Sequence, residues 1–259
     1  MREQPAALGR KHQPPTGDGD VRAVFFDAGD TILAAHPTFQ HRFVEVAAES
    51  GATFEKAAVD AAYAEAIRRA TWPLDWGDAD GQQQFWKGFY VGILADLGYT
   101  KDLDVLAQAM YDAFSDPAGY RLFADALPVL DELERRGLVL GLISNFEPWL
   151  REVLDLQGVL HRFATVAISG ELGVAKPDRA IFEHALAEAG VSPRETVYVG
   201  DSPDADVAGA RGAGIAPIMI DRFGRYPEVD APRITGLTEL LPLLDGRQGR
   251  APQPEPEAG

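Results

Sequence analysis

The feature that most constrains the fold is a series of short apolar runs that alternate with stretches of helical periodicity. Five of these runs have the character of buried β-strands, at 21–27, 138–143, 165–168, 196–200 and 216–220. Apolar runs separated by helical patterns are typical of a parallel sheet whose strands are joined by crossover helices. The predicted fold class is therefore α/β, with a doubly wound parallel sheet.

One long interval, 37–124, interrupts this alternation. It has almost no strand signal, but helical patterns recur in it at 39–49, 54–69, 82–97 and 103–114. We interpret it as a helical insertion into a core formed by residues 21–36 and 125–245. Trp72-Pro73 and Trp76-Gly77 predict a loop within the insertion.

Composition narrows the classes of partner and chemistry. With 24 Lys and Arg against 40 Asp and Glu, the formal net charge is −16, which disfavours nucleic acid and anionic membranes as partners. The chain has no cysteine, so thiolate metal sites and cysteine nucleophiles are excluded. No apolar run has the length of a signal peptide or membrane span, and the expected location is cytoplasmic. The polar ends, 1–20 and 246–259, are expected to be disordered tails.

Polar side chains stand at or shortly after the ends of four predicted strands. Asp27 opens the pentapeptide Asp27-Ala-Gly-Asp-Thr31 after the first strand, and Ser144-Asn145 follows the second. Lys176 precedes a helix that starts near residue 178, and acidic residues occupy 201–206 after the fourth strand. Because the carboxyl ends of strands in an open α/β sheet meet at one crevice, these groups are expected to converge. Carboxylates suit a hard cation, whereas hydroxyl, amide and ammonium groups suit an anion.

Each of these segments alone is a common turn or helix start. Taken in order and spacing, they resemble the haloacid dehalogenase-like hydrolase superfamily, whose members carry a nucleophilic Asp, a Ser or Thr, a Lys and an acidic Gly-Asp motif. The resemblance spans about residues 21–244. The segments 141–146 and 200–211 look like the subfamily with a helical cap inserted after the first motif, and the interval 37–124 fits that cap. The resemblance therefore implies a Rossmann-like core with an inserted α-helical cap.

The resemblance also implies a phosphatase that acts on a small phosphorylated substrate, a phosphate monoester. Asp27 would attack phosphorus and form an aspartyl-phosphate, and Lys176 would offset the charge on Asp27. Ser144, Asn145 and Lys176 would hold the transferring phosphoryl group. Phosphoryl transfer depends mainly on positioning and electrostatic stabilisation, so this set of side chains is nearly sufficient.

Magnesium is the cofactor that the resemblance implies. It would lie between Asp27, the backbone carbonyl of Gly29 and Asp201, where it would reduce repulsion between the carboxylate and an anionic substrate. Asp206 is expected to orient Lys176 or the groups around the metal rather than to bind the metal directly. Thr31 is expected to support the same site.

Gly29 departs from the pattern of this superfamily. Its phosphatases usually carry a second Asp two residues after the nucleophile, which protonates the leaving alcohol and then activates water. Asp30 is the alternative acid, but side chains alternate along an extended segment, so residue 30 should face away from Asp27. General acid–base catalysis is worth roughly 10² to 10⁴ in rate. Without a substitute acid, we expect a slow phosphatase or one that prefers activated leaving groups.

Two other functions are compatible with the same residues. The first is a weakly active or non-catalytic protein that binds metal and phosphate. The second is a 2-haloacid dehalogenase, because halide needs no proton to leave and Gly29 is then no defect. Such enzymes work without magnesium, whereas Asp201 and Asp206 favour a retained metal site. The oligomeric state and the physiological substrate are not defined by the sequence.

Aromatic and basic residues outside these motifs are candidates for substrate binding. Trp72, Trp76 and His36 lie in or beside loop-like stretches, where they are candidates for a substrate pocket. Arg222 and Arg225 follow the last predicted strand. They are candidates either for attracting phosphate or for ordinary surface charges.

Overall fold

The structure, a computed structural model, describes residues 20–69 and 79–248. Its strands are β1 (Ala23–Phe26), β2 (Leu33–Ala35), β3 (Tyr120–Leu122), β4 (Val139–Ser144), β5 (Thr165–Ile168), β6 (Thr196–Gly200), β7 (Ala216–Ile220) and β8 (Arg233–Ile234). Six of them form one sheet in the order β5-β4-β1-β6-β7-β8, and every pair in it is parallel. This confirms the α/β class.

The helices that connect and cover the strands are α1 (Phe39–Glu49), α2 (Lys56–Arg69), α3 (Ala79–Asp96), α4 (Leu103–Phe114), α5 (Ala126–Arg135), α6 (Leu150–Leu156), α7 (Ser169–Leu172), α8 (Arg179–Ala189), α9 (Gly209–Gly212) and α10 (Leu240–Gln248). A π-helical turn, Pro203–Ala208, leads into α9. In the described ranges no helix combines the length and the apolarity that crossing a membrane requires.

Successive side chains of β1 point to opposite faces of the sheet, and both faces are covered by helices. All four of its residues are fully buried. Val24 and Phe26 belong to the hydrophobic cluster formed with α5, α6 and α10, whereas Ala23 and Phe25 belong to the cluster formed with α8. Burial of each phenylalanine side chain contributes about 1.5–3 kcal/mol. Since β1 lies where the strand order reverses, its carboxyl end opens at the position where such sheets bind ligands.

Helices α1 to α4 are inserted between β2 and β3, which pair with each other in antiparallel register from Leu33–Leu122 to Ala35–Tyr120. The four helices bury a hydrophobic cluster of their own, which includes Phe43, Ile93 and Met110. We call them the helical insert. All four predicted helices are confirmed, although the domain boundaries at 37 and 124 stay a prediction.

Three strands escaped the sequence patterns. β2 and β3 have only three residues each and β8 only two, too few to show alternation, and β3 lies inside the interval expected to be helical. Trp72, Trp76 and the loop they predict lie outside the described residues. So do both expected tails, apart from residue 20 and residues 246–248.

Two side-chain contacts join the insert to the core. Gln82 of α3 donates from Nε2 to the carbonyl of Gly170 at 3.2 Å. The Tyr111 hydroxyl of α4 donates to Glu147 Oε1 at 2.7 Å, and Trp149 donates to the other oxygen of the same carboxylate at 3.2 Å. Burial raises the pKa of Glu147. The insert is thereby held over the carboxyl ends of the strands.

A half-buried ion pair ties the loop after β7 to the start of α5. Arg222 donates from both Nη atoms to the two carboxylate oxygens of Asp125, each at 2.9 Å, and its guanidinium lies 3.9 Å from the ring centre of Phe123. Arg222 also donates to the carbonyl of Thr31 at 2.8 Å, and the Leu237 N–H donates to Asp125 at 2.8 Å. Arg222 is therefore committed to this network and is not a surface charge.

We expect Asp125→Asn to lower the free energy of unfolding by about 1–2 kcal/mol at pH 7, because a charge-assisted pair is lost at a partly exposed site. Burial alone would raise the pKa of Asp125, but the hydrogen bonds from Arg222 and Leu237 outweigh it and hold that pKa below its usual value. A lowered folded-state pKa stabilises above the unfolded pKa, and this stabilisation is lost as pH falls.

Urea unfolding of wild type and Asp125→Asn across pH 7 to 3 checks this prediction. The difference between the two proteins should shrink below about pH 4. Asp155→Asn, a change at an exposed residue of α6, is the control and should have no effect at either end of the range. A difference that stays constant across the range would contradict the role given to the ionised carboxylate.

Candidate active site

Three predicted side chains meet at one carboxylate oxygen. Asp27 follows β1, and its backbone N–H donates to the carbonyl of Val199 in β6 at 2.9 Å. Its Oδ1 accepts hydrogen bonds from Ser144 Oγ at 3.0 Å and from Lys176 Nζ at 2.7 Å. All three side chains are buried, with residue exposures of 2–6%. The parallel sheet therefore brings these strand ends together.

The ammonium group of Lys176 donates three hydrogen bonds, all of them to buried side chains. Besides Asp27, its ammonium donates to Asp206 Oδ1 at 2.6 Å and to the Tyr198 hydroxyl at 3.0 Å. Burial by itself would lower the pKa of Lys176, but Asp206 and Asp27 outweigh it and raise that pKa. Lys176 is thus a fixed positive charge beside Asp27.

Tyr198 is a site residue that sequence reasoning missed. It lies in β6 with no exposed surface, accepts from Lys176 Nζ, and has two acceptors within reach of its hydroxyl, Asp206 Oδ1 at 2.9 Å and the carbonyl of Ile143 at 3.0 Å. The available signal was a polar-tipped aromatic residue within a buried strand, because a buried phenol needs a hydrogen-bond partner.

The Asn145 side chain forms hydrogen bonds with both backbone polar groups of Lys176. Its Nδ2 donates to the Lys176 carbonyl at 2.9 Å, and its Oδ1 accepts from the Lys176 N–H at 2.8 Å. This reciprocal pair fixes the segment that carries Lys176. A phosphate contact from Asn145 stays a prediction.

Acidic groups gather around the same point. Carboxylate oxygens of Asp27, Asp201 and Asp206 lie within 4.8 Å of one another. Burial raises the pKa of Asp27 to about 6, with Lys176 opposing the shift. Burial, followed by repulsion from Asp27 and Asp30, raises the pKa of Asp201 well above its usual range. Burial is the largest cause of both raised pKa values, and repulsion among the carboxylates adds to it.

The chemistry of this donor set fits a hard divalent cation, which prefers carboxylate and carbonyl oxygens. Asp206 has both oxygens occupied, since Oδ1 accepts from Lys176 and Oδ2 accepts from the Ser202 N–H at 2.9 Å. Throughout the described part of the chain, by contrast, no group donates a hydrogen bond to the Asp201 carboxylate. The residues suited to a metal are therefore Asp27 and Asp201 rather than Asp206.

The loop after Asp27 bends more than the sequence suggested. Asp30 has a left-handed backbone (φ 51°), so the chain is not extended there and side-chain alternation does not apply. The geometric reason for residue 30 to face away from Asp27 is therefore lost, and both residues line the same cavity. The relative direction of the two side chains stays a prediction. Asp30 is bound to Arg225, whose Nη1 donates to its Oδ2 at 2.9 Å. Arg225 is therefore not an ordinary surface charge either.

Gly29 faces open space in this cavity. A Cβ atom built on it would meet no other atom within 4 Å, and Gly29 needs no left-handed conformation. Thr31 is fully buried, and among the described residues its hydroxyl has no hydrogen-bond partner. Its contribution is its carbonyl, which accepts from Arg222.

A cavity of about 290 Å³ lies between the strand ends and the helical insert. Asp27, Lys176 and Asp201 lie at its core side, and aromatic residues of the insert lie opposite. His36 is exposed and is not one of the described residues that line it. The sheet thus presents its charged cluster to a partly enclosed space.

Comparison with known proteins places the chain in a family. A family model described as haloacid dehalogenase-like hydrolase matches residues 21–214. Haloacid dehalogenase-like hydrolase domain-containing protein 3 of Danio rerio is 31% identical over 218 residues, which cover 82% of this chain and 90% of that protein. Phosphoserine phosphatase of Thermus thermophilus is 46% identical over 116 residues, covering 44% of this chain and less than half, 46%, of that protein.

A solved structure extends the similarity to the whole fold. The HAD phosphatase from Thermococcus onnurineus superposes with a TM-score of 0.58 at 26% identity, covering 87% of this chain and 99% of that one. The residues that the family model matches, 21–214, include Asp27, Ser144 and Lys176. Since the family model spans most of the chain and the strand-end cluster lies at its centre, this protein belongs to the haloacid dehalogenase-like hydrolases, as its motifs predicted.

Proposed function

We propose that this hydrolase is a magnesium-dependent phosphatase that acts on small phosphate monoesters through an aspartyl-phosphate on Asp27. The observation that carries the proposal is the asymmetric environment of that carboxylate. Oδ1 is held by Ser144 and Lys176, while no side chain among the described residues donates a hydrogen bond to Oδ2. One oxygen is thus anchored and the other is available as a nucleophile. The phosphatase name of the Thermus relative supports the same chemistry.

Asp27, Asp201 and the carbonyl of Gly29 would hold Mg²⁺ in this proposal. Bound there, the ion would supply Lewis-acid stabilisation of charge on the phosphoryl group. The fixed ammonium of Lys176 and the hydroxyl of Ser144 bind and orient the anionic phosphoryl oxygens. Asn145 acts mainly by holding the backbone of Lys176, and Asp206 by holding its ammonium.

The helical insert would act as a cap over this site. It closes one side of the cavity and is hydrogen-bonded to core loops through Gln82 and Tyr111. A partly enclosed site limits the access of bulk water, which strengthens electrostatic interactions with the phosphoryl group. The core would then supply the groups that react with the phosphoryl group. The insert would contact the remainder of the substrate.

The first test is phosphate release from 4-nitrophenyl phosphate with and without Mg²⁺. We expect release that depends on Mg²⁺ and that Asp27→Asn lowers by at least about 10³-fold, because an amide is not a nucleophile toward phosphorus. Asp178→Asn, at a half-buried helix N-cap where asparagine can also accept the capping hydrogen bond, is the control and should retain activity. Phosphate release that persists in Asp27→Asn would rule out the assigned nucleophile.

Metal binding is tested separately from turnover. We expect Mg²⁺ at millimolar concentration to raise the melting temperature of the wild type, since a ligand that binds the folded state stabilises it. Asp201→Asn should abolish this increase, whereas Asp204→Asn, an exposed acid in the same turn, should preserve it. Equal increases in both variants would remove Asp201 from the proposed metal site.

Dehalogenation is the second candidate, and Gly29 is the observation in its favour. Displacement of halide from carbon requires no protonated leaving group, so the absence of a carboxylate at position 29 would be immaterial. Halide release from 2-chloropropanoate, measured without Mg²⁺, distinguishes the two activities. Halide release without phosphate release would replace the phosphatase proposal.

Gly29→Asp tests whether acid catalysis is what the natural chain lacks. The open space at this position accommodates the side chain, and we expect hydrolysis of unactivated alkyl phosphates to rise by at least about tenfold. 4-Nitrophenyl phosphate should respond less, because its leaving group needs no proton. Gly88→Asp adds the same carboxylate on an exposed face of α3 and should change neither rate. Equal responses of the two substrates would show that position 29 does not control proton transfer.

A further inference from the structure

The wall of the cavity opposite the strand ends is aromatic. Six side chains of the insert line it: Phe39, Tyr63, Trp86, Phe89, Tyr90 and Phe114. Phe39 is the central ring, with its centroid 4.2 Å from that of Tyr63 and 4.7 Å from that of Phe114. Tyr90 stacks on Phe114 at 5.5 Å, and Phe89 joins Tyr63 and Trp86 at 6.1 and 5.8 Å. The rings therefore form one continuous surface.

Both cationic side chains that line the described part of this cavity already have carboxylate partners. Those of the strand-end cluster, Asp27, Lys176, Asp201 and Asp206, belong to the reacting side. The other two charged side chains among the described lining residues, Asp30 and Arg225, bind each other at 2.9 Å. Arg225 also lies over the rings of Tyr63 and Phe223, with its guanidinium carbon 5.2 and 4.5 Å from their centroids. Within the described lining, no cation is left without a carboxylate partner.

This arrangement discriminates between leaving groups. A carboxylate elsewhere on the substrate would lose its water against aromatic rings without gaining a counter-ion, which is unfavourable. An aromatic ring would instead make stacked or edge-to-face contacts. The volume of about 290 Å³ is at the small end of ligand pockets, roughly 300–1,000 Å³, and suits a single ring on a short linker.

We infer that the substrate of this phosphatase is the phosphate ester of an alcohol that bears an aromatic ring and no carboxylate, held by the Phe39 surface of the insert. The inference rests on the proposed function, because it describes the part of the substrate that remains after phosphoryl transfer. It assigns specificity to residues that take no part in the chemistry.

The test compares 2-phenylethyl phosphate with 2-carboxyethyl phosphate in the presence of Mg²⁺. Both are esters of primary alcohols, so a missing general acid affects them alike and the difference reports on the cavity. We expect kcat/KM to be at least about tenfold higher for the phenyl ester, chiefly through a lower KM. If turnover is too slow to follow, inhibition constants against 4-nitrophenyl phosphate give the same comparison.

The outcomes separate the two levels of the proposal. Equal values for the two esters, or a preference for the carboxylate, would overturn the inference and leave the phosphatase function intact. A preference for phosphoserine, which carries both a carboxylate and an ammonium, would also overturn the inference and leave the phosphatase function intact. Absence of phosphate release from every ester, including 4-nitrophenyl phosphate, would overturn the proposed function and this inference with it.

Variants at Phe39 locate the ring-binding surface. Phe39→Ala should raise KM for 2-phenylethyl phosphate about tenfold with little change for 2-carboxyethyl phosphate. Phe39→Leu keeps apolar volume without the ring and should give an intermediate value even if the alanine variant folds poorly. Val105→Ala, at a residue of α4 that is 68% exposed, is the control. A parallel loss for both esters would indicate a merely structural role and count against the proposal.

Asp30→Asn tests the charge matching directly. It leaves Arg225 without its carboxylate partner, so the preference for the phenyl ester should fall about tenfold as the carboxylate ester gains a counter-ion. Asp104→Asn, an exposed acid on α4, should leave the preference unchanged. An unchanged preference in Asp30→Asn would show that the ion pair does not exclude charged substrates.

Discussion

The ammonium group of Lys176 donates hydrogen bonds to side chains that arrive from separate parts of the chain: Asp27 after β1, Tyr198 within β6 and Asp206 after β6. Burying one charge without partners is prohibitive, and removing a single partner from such a set is strongly destabilising. The partners are present because β1 and β6 are neighbours in the sheet and their carboxyl ends open on the same crevice. The site geometry therefore depends on this lysine, and the excess of carboxylates around it leaves room for a further cation.

Much of this arrangement was predictable from the sequence, and for a definite reason. Apolar runs predicted the strands, and strand order made Asp27, Ser144 and Lys176 neighbours, since these positions follow from local pattern and sheet geometry. The alternation assumed at Asp30 failed because its backbone is left-handed, and its ion-pair partner Arg225 lies nearly two hundred residues away in sequence, where no local pattern indicates it. Tyr198 was missed because the neighbouring sequence does not distinguish a buried tyrosine whose hydroxyl forms hydrogen bonds within the site from one that only packs in the core.

Core and insert divide the work of recognition between charge and shape. In the proposed function the core contributes Asp27, Asp201 and Lys176, which would address the phosphoryl group that every substrate of this kind shares. The insert contributes uncharged rings, which would distinguish one alcohol from another. Gly29 lies at the boundary, with empty space where related phosphatases usually carry an acid. Changes in the insert can therefore alter selectivity without disturbing the buried ion pairs.

The pairing of β2 with β3 has a consequence for how the insert can move. Both crossings between core and insert run through these two strands, which are hydrogen-bonded to each other from Leu33–Leu122 to Ala35–Tyr120. A two-stranded ribbon bends readily out of its plane but resists shear within it, because shear would break the ladder. Bending of this ribbon would let the insert turn relative to the core without sliding along it, but only if the hydrogen bonds of Gln82 and Tyr111 to the core were broken. The pairing of β2 with β3 would persist through such a turn.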